Sequence, residues 1–257
     1  MDIGLSGRVA VVAGSTSGLG LATARALSEE GAQVAVIGRR AELVAEVSSE
    51  LAGAVGIVAD LTIADDRSRI LATVRAELGD VDIVVVNGGG PSKSDAAALT
   101  GASALAAAEL LLEPAVELIH AVLPGMRERG WGRVLAIGSS AVQQPLPGLV
   151  GSNIGRSALA AYLKTLAGEV ARDGVTVNMV LPGRIATART EALDDATAAS
   201  TGRSRAEVRS ASESTIPAGR YGTAEEFASV VAFLAGARAS YVTGEQVRVD
   251  GGMVRSY

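Results

Sequence analysis

The sequence contains no cysteine and only one histidine among its 257 residues. Disulfide bonds, thiolate chemistry and cysteine-ligated metals are therefore excluded, and so is a metal site built from several histidines. Aromatic residues make up only 3% of the chain, although 48% of the chain is hydrophobic. The core must accordingly be built from Ala, Val, Leu and Ile, and we predict no metal site.

The sequence also lacks a large excess of either charge and has no long apolar run. The formal net charge is −5, without long charged runs, which does not indicate a surface for binding nucleic acid. No apolar run reaches the length of a membrane span. Asp2 and the lack of a basic segment before the first apolar run are unlike a secretory signal peptide. We therefore expect a cytoplasmic protein that binds neither nucleic acid nor membrane.

Strand and helix patterns alternate along the chain. Short apolar runs rich in β-branched residues, typical of strands buried on both faces, occupy residues 8–13, 33–37, 55–59, 82–86, 133–137, 175–180 and 246–249. Helical patterns separate most of them. These repeated β-α-β units predict an α/β fold, a doubly wound parallel sheet with helices on both faces. The length and the absence of a linker favour a single domain over residues 1–257.

Residues 188–218 break this alternation. The segment is polar, permissive for helix and rich in Ala, Ser, Thr and Arg. It is too long for a plain connection between a strand and a helix. A substrate flap over the active site and a solvated excursion on the surface both fit its composition. We adopt the flap as the prediction to be compared with the structure.

The first strand runs directly into a glycine-rich turn. Gly14, Gly18 and Gly20 are spaced G-x-x-x-G-x-G, and a helical stripe begins at Leu19. Glycines let the backbone approach a phosphate closely, and a helix N-terminus offers free N–H groups and a partial positive charge. The arrangement favours the pyrophosphate of a dinucleotide, although a tight turn without any ligand would use the same residues.

The end of the second strand indicates which dinucleotide is bound. An acid there would accept hydrogen bonds from the adenosine ribose of NAD, whereas a basic residue suits the 2′-phosphate of NADP. The strand ends in Gly38, Arg39 and Arg40, with no acid. Arginine pairs well with phosphate, which favours NADP(H), unless the two arginines simply open a solvated helix face. Asp60, after the third strand, is placed to meet the adenine amino group.

A second glycine-rich segment follows the fourth strand. Asn87 precedes Gly88, Gly89 and Gly90, so bare backbone lies where the ribose on the nicotinamide side of the cofactor would be. In doubly wound sheets, ligands bind beyond the carboxyl ends of the strands. Both glycine segments follow strands in this way, which predicts that they share one ligand.

Together with later motifs, these residues resemble the short-chain dehydrogenase/reductase family. The likeness runs from Gly4 to Gly252. Its segments are GSTSGLG at 14–20, DLT at 60–62, NGGG at 87–90, IGS at 137–139, VTVN at 175–178, PGRIAT at 182–187, YVTG at 241–244 and VDGG at 249–252. The resemblance implies a Rossmann-type sheet of about seven strands, a nicotinamide cofactor and a homo-oligomer, either a tetramer or a dimer.

The resemblance also implies which residues bind the cofactor. Ser17, Gly18 and Leu19 would take the pyrophosphate, while Thr187 and the turn at Pro182 and Gly183 would flank the nicotinamide. The complete predicted cofactor site comprises Gly14, Ser15, Ser17, Gly18, Leu19, Gly20, Arg39, Asp60, Leu61, Asn87, Gly88, Gly89, Arg156, Pro182, Gly183 and Thr187.

The catalytic centre departs from the family pattern. The family reduces carbonyls with a Ser, a Tyr thirteen residues later and a Lys four residues after that, supported by an Asn on the preceding long helix. Ser139 stands at the serine position, but Ser152, Arg156 and Leu111 stand where Tyr, Lys and Asn are expected. The segment around Ser152 is similar to an atypical subgroup that resembles ketoacyl-carrier-protein reductases and carries Ser and Arg at these two places.

These replacements change the proton chemistry. A phenol, with a pKa of about 10, can be tuned toward neutrality, whereas a serine hydroxyl is far less acidic and an arginine stays protonated. General acid catalysis is typically worth about 10²–10⁴ in rate. Ser139, Ser152 and Arg156 are the predicted catalytic residues. Ser139 orients the substrate oxygen, Arg156 holds the ribose and supplies charge, and Ser152 or a bound water relays the proton, unless Arg156 is merely a solvated helix residue.

We therefore predict an NADP(H)-dependent oxidoreductase that transfers hydride between the nicotinamide and a small organic carbonyl, alcohol or imine-type substrate, with an altered proton relay. An iminium or a conjugated double bond suits this site better than a simple ketone, because it needs less proton donation there. The alternative is an NADPH-binding protein without redox turnover, acting as a sensor, an inactive oligomer partner or a non-redox catalyst in the same pocket.

Overall fold

Seven parallel strands form the centre of the structure, a computed structural model that describes residues 2–256. They lie side by side in one sheet in the order β3-β2-β1-β4-β5-β6-β7. The strands are β1 (Val9–Val12), β2 (Gln33–Gly38), β3 (Val55–Val58), β4 (Ile83–Val86), β5 (Gly132–Ile137), β6 (Val175–Pro182) and β7 (Gln246–Val249). Each predicted strand overlaps one of these, and the predicted doubly wound α/β fold is confirmed.

Helices cover both faces of the sheet. Within the described residues they are α1 (Gly18–Glu29), α2 (Ala41–Glu50), α3 (Ala64–Glu77), α4 (Gly101–Glu128), α5 (Val150–Val170), α6 (Ala188–Thr201), α7 (Arg205–Glu213) and α8 (Ala224–Ala235). Apolar side chains of α3, α4 and α5 pack on one face, and those of α1, α2 and α8 pack on the other. None of the helices in residues 2–256 is long and apolar enough to cross a membrane.

The central strands are buried on both faces, which explains why their sequences are apolar without alternation. In β1, Val9 and Val11 belong to the core on one face, and Ala10 and Val12 belong to the core on the other. A strand covered by helices on both faces has no solvated side to mark with polar residues. Polar groups of the central strands are therefore available to a ligand only where the strands end.

The order of the strands creates a crevice at the carboxyl ends of β1 and β4. After β1 the chain turns to α1 on one face, and after β4 it turns to α4 on the opposite face. Because the two connections diverge, the sheet edge between them stays uncovered. This is the edge at which the sequence predicts the ligand.

The segment 188–218, predicted from its composition to be a flap, contains helices α6 and α7. Thr187 caps α6, since its hydroxyl accepts a hydrogen bond from the backbone N–H of Thr190. The carboxylate of Asp194 is buried, where it accepts a hydrogen bond of 3.0 Å from the Tyr221 hydroxyl. The segment is therefore tied to the fold by a polar contact in its first helix.

One buried amide joins β6 to the loop before β7. Asn178 is 1% exposed, its Nδ2 donates to the carbonyl of Val242 at 2.8 Å, and its Oδ1 accepts from the N–H of Glu245 at 3.0 Å. Replacing it removes two hydrogen bonds and leaves two backbone groups without partners.

We expect Asn178→Ala to lower the free energy of unfolding by about 2–4 kcal/mol, because unpaired buried polar groups are costly. Urea denaturation followed by circular dichroism measures the change. Thr165→Ala is the matched control, since the exposed Thr165 hydroxyl bonds only to the carbonyl of Ala161 in its own helix. Equal effects of the two substitutions would contradict this account of the β6–β7 connection.

Candidate active site

The turn between β1 and α1 is built around two close backbone approaches. Gly14 and Gly18 have φ angles of +60° and +56°, a region that favours glycine. A Cβ on Gly20 would lie 2.2 Å from the carbonyl oxygen of Gly14, a distance that no side chain tolerates. The glycines at these positions are therefore a geometric requirement of the turn.

The first turn of α1 has free backbone donors. Ser17 precedes the helix, but its exposed side chain makes no capping hydrogen bond, and no acidic residue lies in the first turn. The N–H groups of Gly18, Leu19 and Gly20 therefore lack intrahelical acceptors. By contrast, α4, α7 and α8 begin in capping boxes that satisfy such groups. The start of α1 fits an anionic ligand such as a pyrophosphate.

Three predicted cofactor residues, Ser15, Leu19 and Leu61, point their side chains into the fold instead. Ser15 is fully buried; its hydroxyl donates to the carbonyl of Val12 at 2.7 Å and accepts from the N–H of Ile37 at 2.8 Å. The Leu61 side chain packs against the core, as does that of Leu19 on the other face. Because the Ser15 hydroxyl proton is already donated to Val12, the side chain supports the turn in this structure, and its expected role in cofactor binding stays a prediction.

Asn87 links the two glycine-rich segments. Its Nδ2 donates to the carbonyl of Ala13 at 3.2 Å, so the end of β4 is tied to the end of β1. Beyond it, a Cβ on Gly88 or Gly89 would meet no atom within 4 Å. The backbone after β4 thus borders open space, in which a bound ring or sugar has room.

The adenosine end of the predicted site lies at the ends of β2 and β3. Arg39 is exposed, and its Nη1 lies 3.6 Å from the carboxylate of Asp60. Hydrogen bonds from the backbone N–H and hydroxyl of Thr62, with a smaller contribution from Arg39, hold the pKa of Asp60 below its usual value. Asp60 stays ionised and keeps Arg39 beside the strand ends, where the arginine can meet a phosphate.

The turn after β6 brings the start of α6 to the glycine-rich turn. A Cβ on Gly183 would lie 2.7 Å from Asp250, so the Pro182–Gly183 turn packs tightly on the loop after β7. Farther along, the Cγ2 of Thr187 lies 3.8 Å from the position of a Cβ on Gly18. Thr187 therefore borders the same crevice as the first turn of α1.

Ser139 lies just beyond the carboxyl end of β5. Its hydroxyl oxygen accepts a hydrogen bond of 3.1 Å from the backbone N–H of Ala141, which begins a short 3-10 turn. The hydroxyl proton has no acceptor among the described residues. Ser139 is thus oriented by one bond and can donate another to a ligand.

Arg156 and Ser152 form a connected pair on one face of α5. The Nε of Arg156 donates to the Oγ of Ser152 at 3.3 Å, and its Nη1 donates to the carbonyls of Ile137 and Gly138 at 2.9 and 3.1 Å. A guanidinium has five N–H donors, so the two on Nη2 have no acceptor within residues 2–256. Burial, and secondarily the charge of Arg189, lowers the pKa of Arg156 to about 10. The group is still positively charged at neutral pH.

Arg189 and Gly90 also border this place. Gly90 belongs to the glycine-rich segment expected beside the ribose, whereas the sequence did not indicate Arg189 as a site residue. The Nη2 of Arg189 lies 3.2 Å from the position of a Cβ on Gly90, and the Oγ of Ser152 lies 3.8 Å from the same point. Arg189 follows the PGRIAT segment by two residues, which was the only available signal. Nothing in its local pattern distinguishes it from a solvated helix arginine.

The predicted residues therefore fall into three groups. One group lies at or near the crevice between β1 and β4: Gly14, Ser17, Gly18, Leu19, Gly20, Asn87, Gly88, Gly89 and Thr187, with Ser152 and Arg156 beside Gly90, Ser139 after β5, and Pro182 and Gly183 in the turn after β6. A second group, Arg39 and Asp60, lies at the ends of β2 and β3. Ser15 and Leu61 support these segments from within the fold.

Comparison with known proteins finds relatives along the whole chain. The family model described as Enoyl-(Acyl carrier protein) reductase matches residues 13–254. The uncharacterized oxidoreductase YvrD of Bacillus subtilis is 34% identical over 100% of both chains. The 3-oxoacyl-(acyl-carrier-protein) reductase FabG of Escherichia coli is 36% identical over 96% of this chain and 97% of its own.

Solved structures agree with these sequence relatives. L-sorbose reductase from Gluconobacter frateurii, in complex with NADPH and L-sorbose, superposes with a TM-score of 0.93 at 31% identity over 100% of both chains. A variant of actinorhodin polyketide ketoreductase, with NADPH, superposes with a TM-score of 0.90 at 32% identity over 96% of this chain and 97% of its own. On its sequence, its sheet and its glycine-rich turn, the chain belongs to the short-chain dehydrogenase/reductase family of oxidoreductases.

Proposed function

We propose that this oxidoreductase reduces an iminium or a conjugated double bond in a small organic substrate, using an atypical centre of Ser139, Ser152 and Arg156. The cofactor is NADP(H). The observation that carries the proposal is the connected pair Ser152–Arg156, with a guanidinium nitrogen and a hydroxyl proton left free next to the open backbone after β4.

The residues of the crevice fit a dinucleotide. The uncapped first turn of α1 and its lack of acids would bind the pyrophosphate, and Thr187 would border it from α6. The open backbone at Gly88 and Gly89 gives room for the ribose and the nicotinamide. Arg39 would meet the 2′-phosphate. When bound there, NADPH supplies the hydride that reduces the substrate.

Arg156 acts through its charge rather than as an acid. Even with a pKa lowered to about 10 it remains protonated at neutral pH. Its tether to the carbonyls of Ile137 and Gly138 fixes the guanidinium before any ligand arrives. A preorganised cation of this kind stabilises negative charge that develops on a substrate oxygen. The free N–H groups on Nη2 are the donors for such an oxygen or for a ribose hydroxyl.

The two serines complete the centre. Ser139 donates its free hydroxyl proton to the substrate oxygen and so orients it. Ser152 shares its oxygen with Arg156 and has its own proton free, so it can pass a proton or hold a water that does. A serine hydroxyl is a much weaker acid than a phenol, and rapid protonation of an alkoxide is therefore not available.

This weakness favours particular hydride acceptors. An iminium carbon that accepts hydride becomes a neutral amine, with no proton needed in the same step. A conjugated ketone that accepts hydride at its β-carbon becomes an enolate; its negative charge rests on the oxygen near Arg156, and water then protonates the α-carbon. Reduction of a simple ketone instead needs a proton at the oxygen as the hydride arrives. The first two reactions both avoid a proton at oxygen in the hydride step, and the conjugated ketone also uses the charge of Arg156, which a cationic iminium does not.

The segment 188–218 is proposed as the cover of this site. The start of its first helix borders the crevice at two places, because Thr187, which caps α6, lies near Gly18 and Arg189 lies near Gly90. We also propose a homo-oligomer, because Leu105 on α4 and Tyr241 before β7 are large apolar or aromatic side chains exposed by 73% and 101%. A second copy of the chain would cover them.

A panel of hydride acceptors tests the proposed chemistry. With NADPH, we expect 2-methyl-1-pyrroline and cyclohex-2-enone to be reduced with a higher kcat/KM than cyclohexanone, because only the ketone needs a strong acid at its oxygen. NADPH absorbance gives the rates, and product mass must rise by two hydrogens. A clear preference for cyclohexanone contradicts the altered relay. Tight NADPH binding without turnover of any acceptor identifies a cofactor-binding protein instead.

Restoring the missing acid is the second test. We expect Ser152→Tyr with Arg156→Lys to raise the rate of cyclohexanone reduction by about 10²–10⁴, the usual value of general acid catalysis. Ser152→Phe with Arg156→Lys is the matched control, since it adds the ring without the phenol. If both double variants bind NADPH and neither reduces the ketone faster than the parent, the roles of these positions are wrong.

Cofactor choice is tested at Arg39. We expect Arg39→Ala to weaken NADPH binding about tenfold, the value of one charge-assisted hydrogen bond, and to leave NADH binding unchanged. Nicotinamide fluorescence gives both dissociation constants. Arg172→Ala, which removes an exposed arginine just beyond α5, controls for net charge. An equal loss for both dinucleotides would show that Arg39 does not read the 2′-phosphate.

A further inference from the structure

Arg189 reaches from α6 across the crevice to the loop after β4. Its Nη2 and the Oγ of Ser152 lie 3.2 and 3.8 Å from one point, the position that a Cβ on Gly90 would take. The absence of a side chain at Gly90 is what lets the two groups approach the same spot. The guanidinium of Arg189 and the hydroxyl of the proposed catalytic serine therefore border the same position beside Gly90.

The guanidinium groups of Arg156 and Arg189 lie near each other without a carboxylate partner among the described residues. Arg189 lies close enough to Arg156 for its charge to disfavour the protonated form of that residue. Among the described residues, neither guanidinium forms an ion pair with a carboxylate. Arg189 also makes no hydrogen bond within residues 2–256.

Two of the three acids on α6 have other partners. Asp194 is buried between Arg184, at 3.7 Å, and the hydroxyl of Tyr221. Asp195 pairs with Arg205 through two hydrogen bonds, and the charge of Glu191 also acts on Arg205. Asp194 and Asp195 are therefore held by other partners, and Glu191 forms no ion pair with Arg189 within the described residues.

Arg156 and Arg189 together carry more positive charge than the proposed reaction requires. One fixed cation, Arg156, is enough to stabilise a developing enolate or to hold a ribose. A second guanidinium beside it adds repulsion between like charges, which solvent at the exposed Arg189 screens only in part. The N-terminal end of α6, from which Arg189 projects, adds a partial positive charge. A ligand anion would remove this repulsion.

We infer that the substrate carries a carboxylate, which Arg189 binds across Gly90 from Ser152 while Arg156 faces the reacting end. The inference rests on the proposed function for the position of the reacting end. A guanidinium presents two parallel N–H donors to a carboxylate, which fixes the direction of the ligand as well as its charge. Since Arg189 belongs to the segment 188–218, the same bond ties that segment to the substrate.

Oxo-acids and their esters test this inference. The probes are straight-chain 2-, 3-, 4- and 5-oxo-acids, each beside its neutral methyl ester, with dihydroxyacetone phosphate to tell a phosphate from a carboxylate ligand. Calorimetry measures their binding to the protein with and without NADPH, and NADPH oxidation is recorded separately. We expect at least one acid to bind about ten- to a hundredfold more tightly than its ester, the range for charge-assisted hydrogen bonds.

Two substitutions assign the effect to Arg189. We expect Arg189→Met to remove the preference for that acid, to leave the affinity of its ester unchanged, and to leave the NADPH dissociation constant unchanged. Arg189→Lys should restore part of the preference, because it keeps the charge without the paired donors. Arg172→Met removes an exposed arginine just beyond α5 and should change none of these values.

Each other result overturns the inference. Equal binding of every acid and its ester refutes a carboxylate site, and tighter binding of dihydroxyacetone phosphate alone replaces carboxylate with phosphate. Loss of NADPH affinity in Arg189→Met would assign the arginine to the cofactor. The proposed function fails separately: the oxo-acids are simple ketones, so slow reduction of them is expected, whereas an absence of NADPH oxidation with 2-methyl-1-pyrroline and cyclohex-2-enone refutes the redox reaction and leaves the anion site standing.

Discussion

The carbonyl of Gly14 and the Cα of Gly20 approach each other so closely that the space for a side chain is absent. This approach bends the chain from β1 directly into α1 and leaves the first N–H groups of that helix facing the crevice. Asn87 then ties the end of β4 to the same turn through its bond to Ala13. Every other part of the site is positioned relative to this fixed edge. Thr187 and Arg189 reach it from α6, and Ser139 and Arg156 reach it from β5 and α5.

The proposed chemistry follows from the replacement of the family's acidic tyrosine and its lysine by a serine and a permanently charged arginine. A tyrosine and a lysine would deliver a proton and tune its release. The serine and arginine found here offer a weak acid and a cation already held by two carbonyls. In the proposed mechanism, this centre stabilises negative charge well and supplies protons poorly. Together with the second guanidinium on α6, it suits substrates that are anionic and whose reduction is not limited by protonation.

The sequence predicts those parts of the fold and the site that local pattern determines. It does not predict the positions of residues that tertiary packing determines. Apolar runs such as 8–13 have few alternatives to a buried strand, and the glycine spacing at 14–20 restricts the backbone, so the sheet and the crevice were predictable. Ser15 lies inside that same motif, yet its hydroxyl is used by Val12 and Ile37. Only the packing of β1 against β2 decides this.

Arg189 was not predictable for a different reason. The segment 188–218 has no apolar stripe, so its sequence does not indicate which side of its helices faces the sheet. The direction of α6 depends on the tight packing of Gly183 against Asp250, two residues far apart in the chain. Ser152 and Arg156 could be placed on one helix face from their spacing. That Arg156 bonds to the end of β5 required the structure.

The central claim is that the uncapped start of α1 and the serine–arginine pair on α5 serve one bound dinucleotide. A crystal structure of the protein grown with NADPH tests it most directly. The account predicts the pyrophosphate on the N–H groups of Gly18 and Leu19, and the nicotinamide next to Ser139 and the free Nη2 of Arg156. A pyrophosphate bound elsewhere, or a nicotinamide that does not reach Arg156, would contradict it.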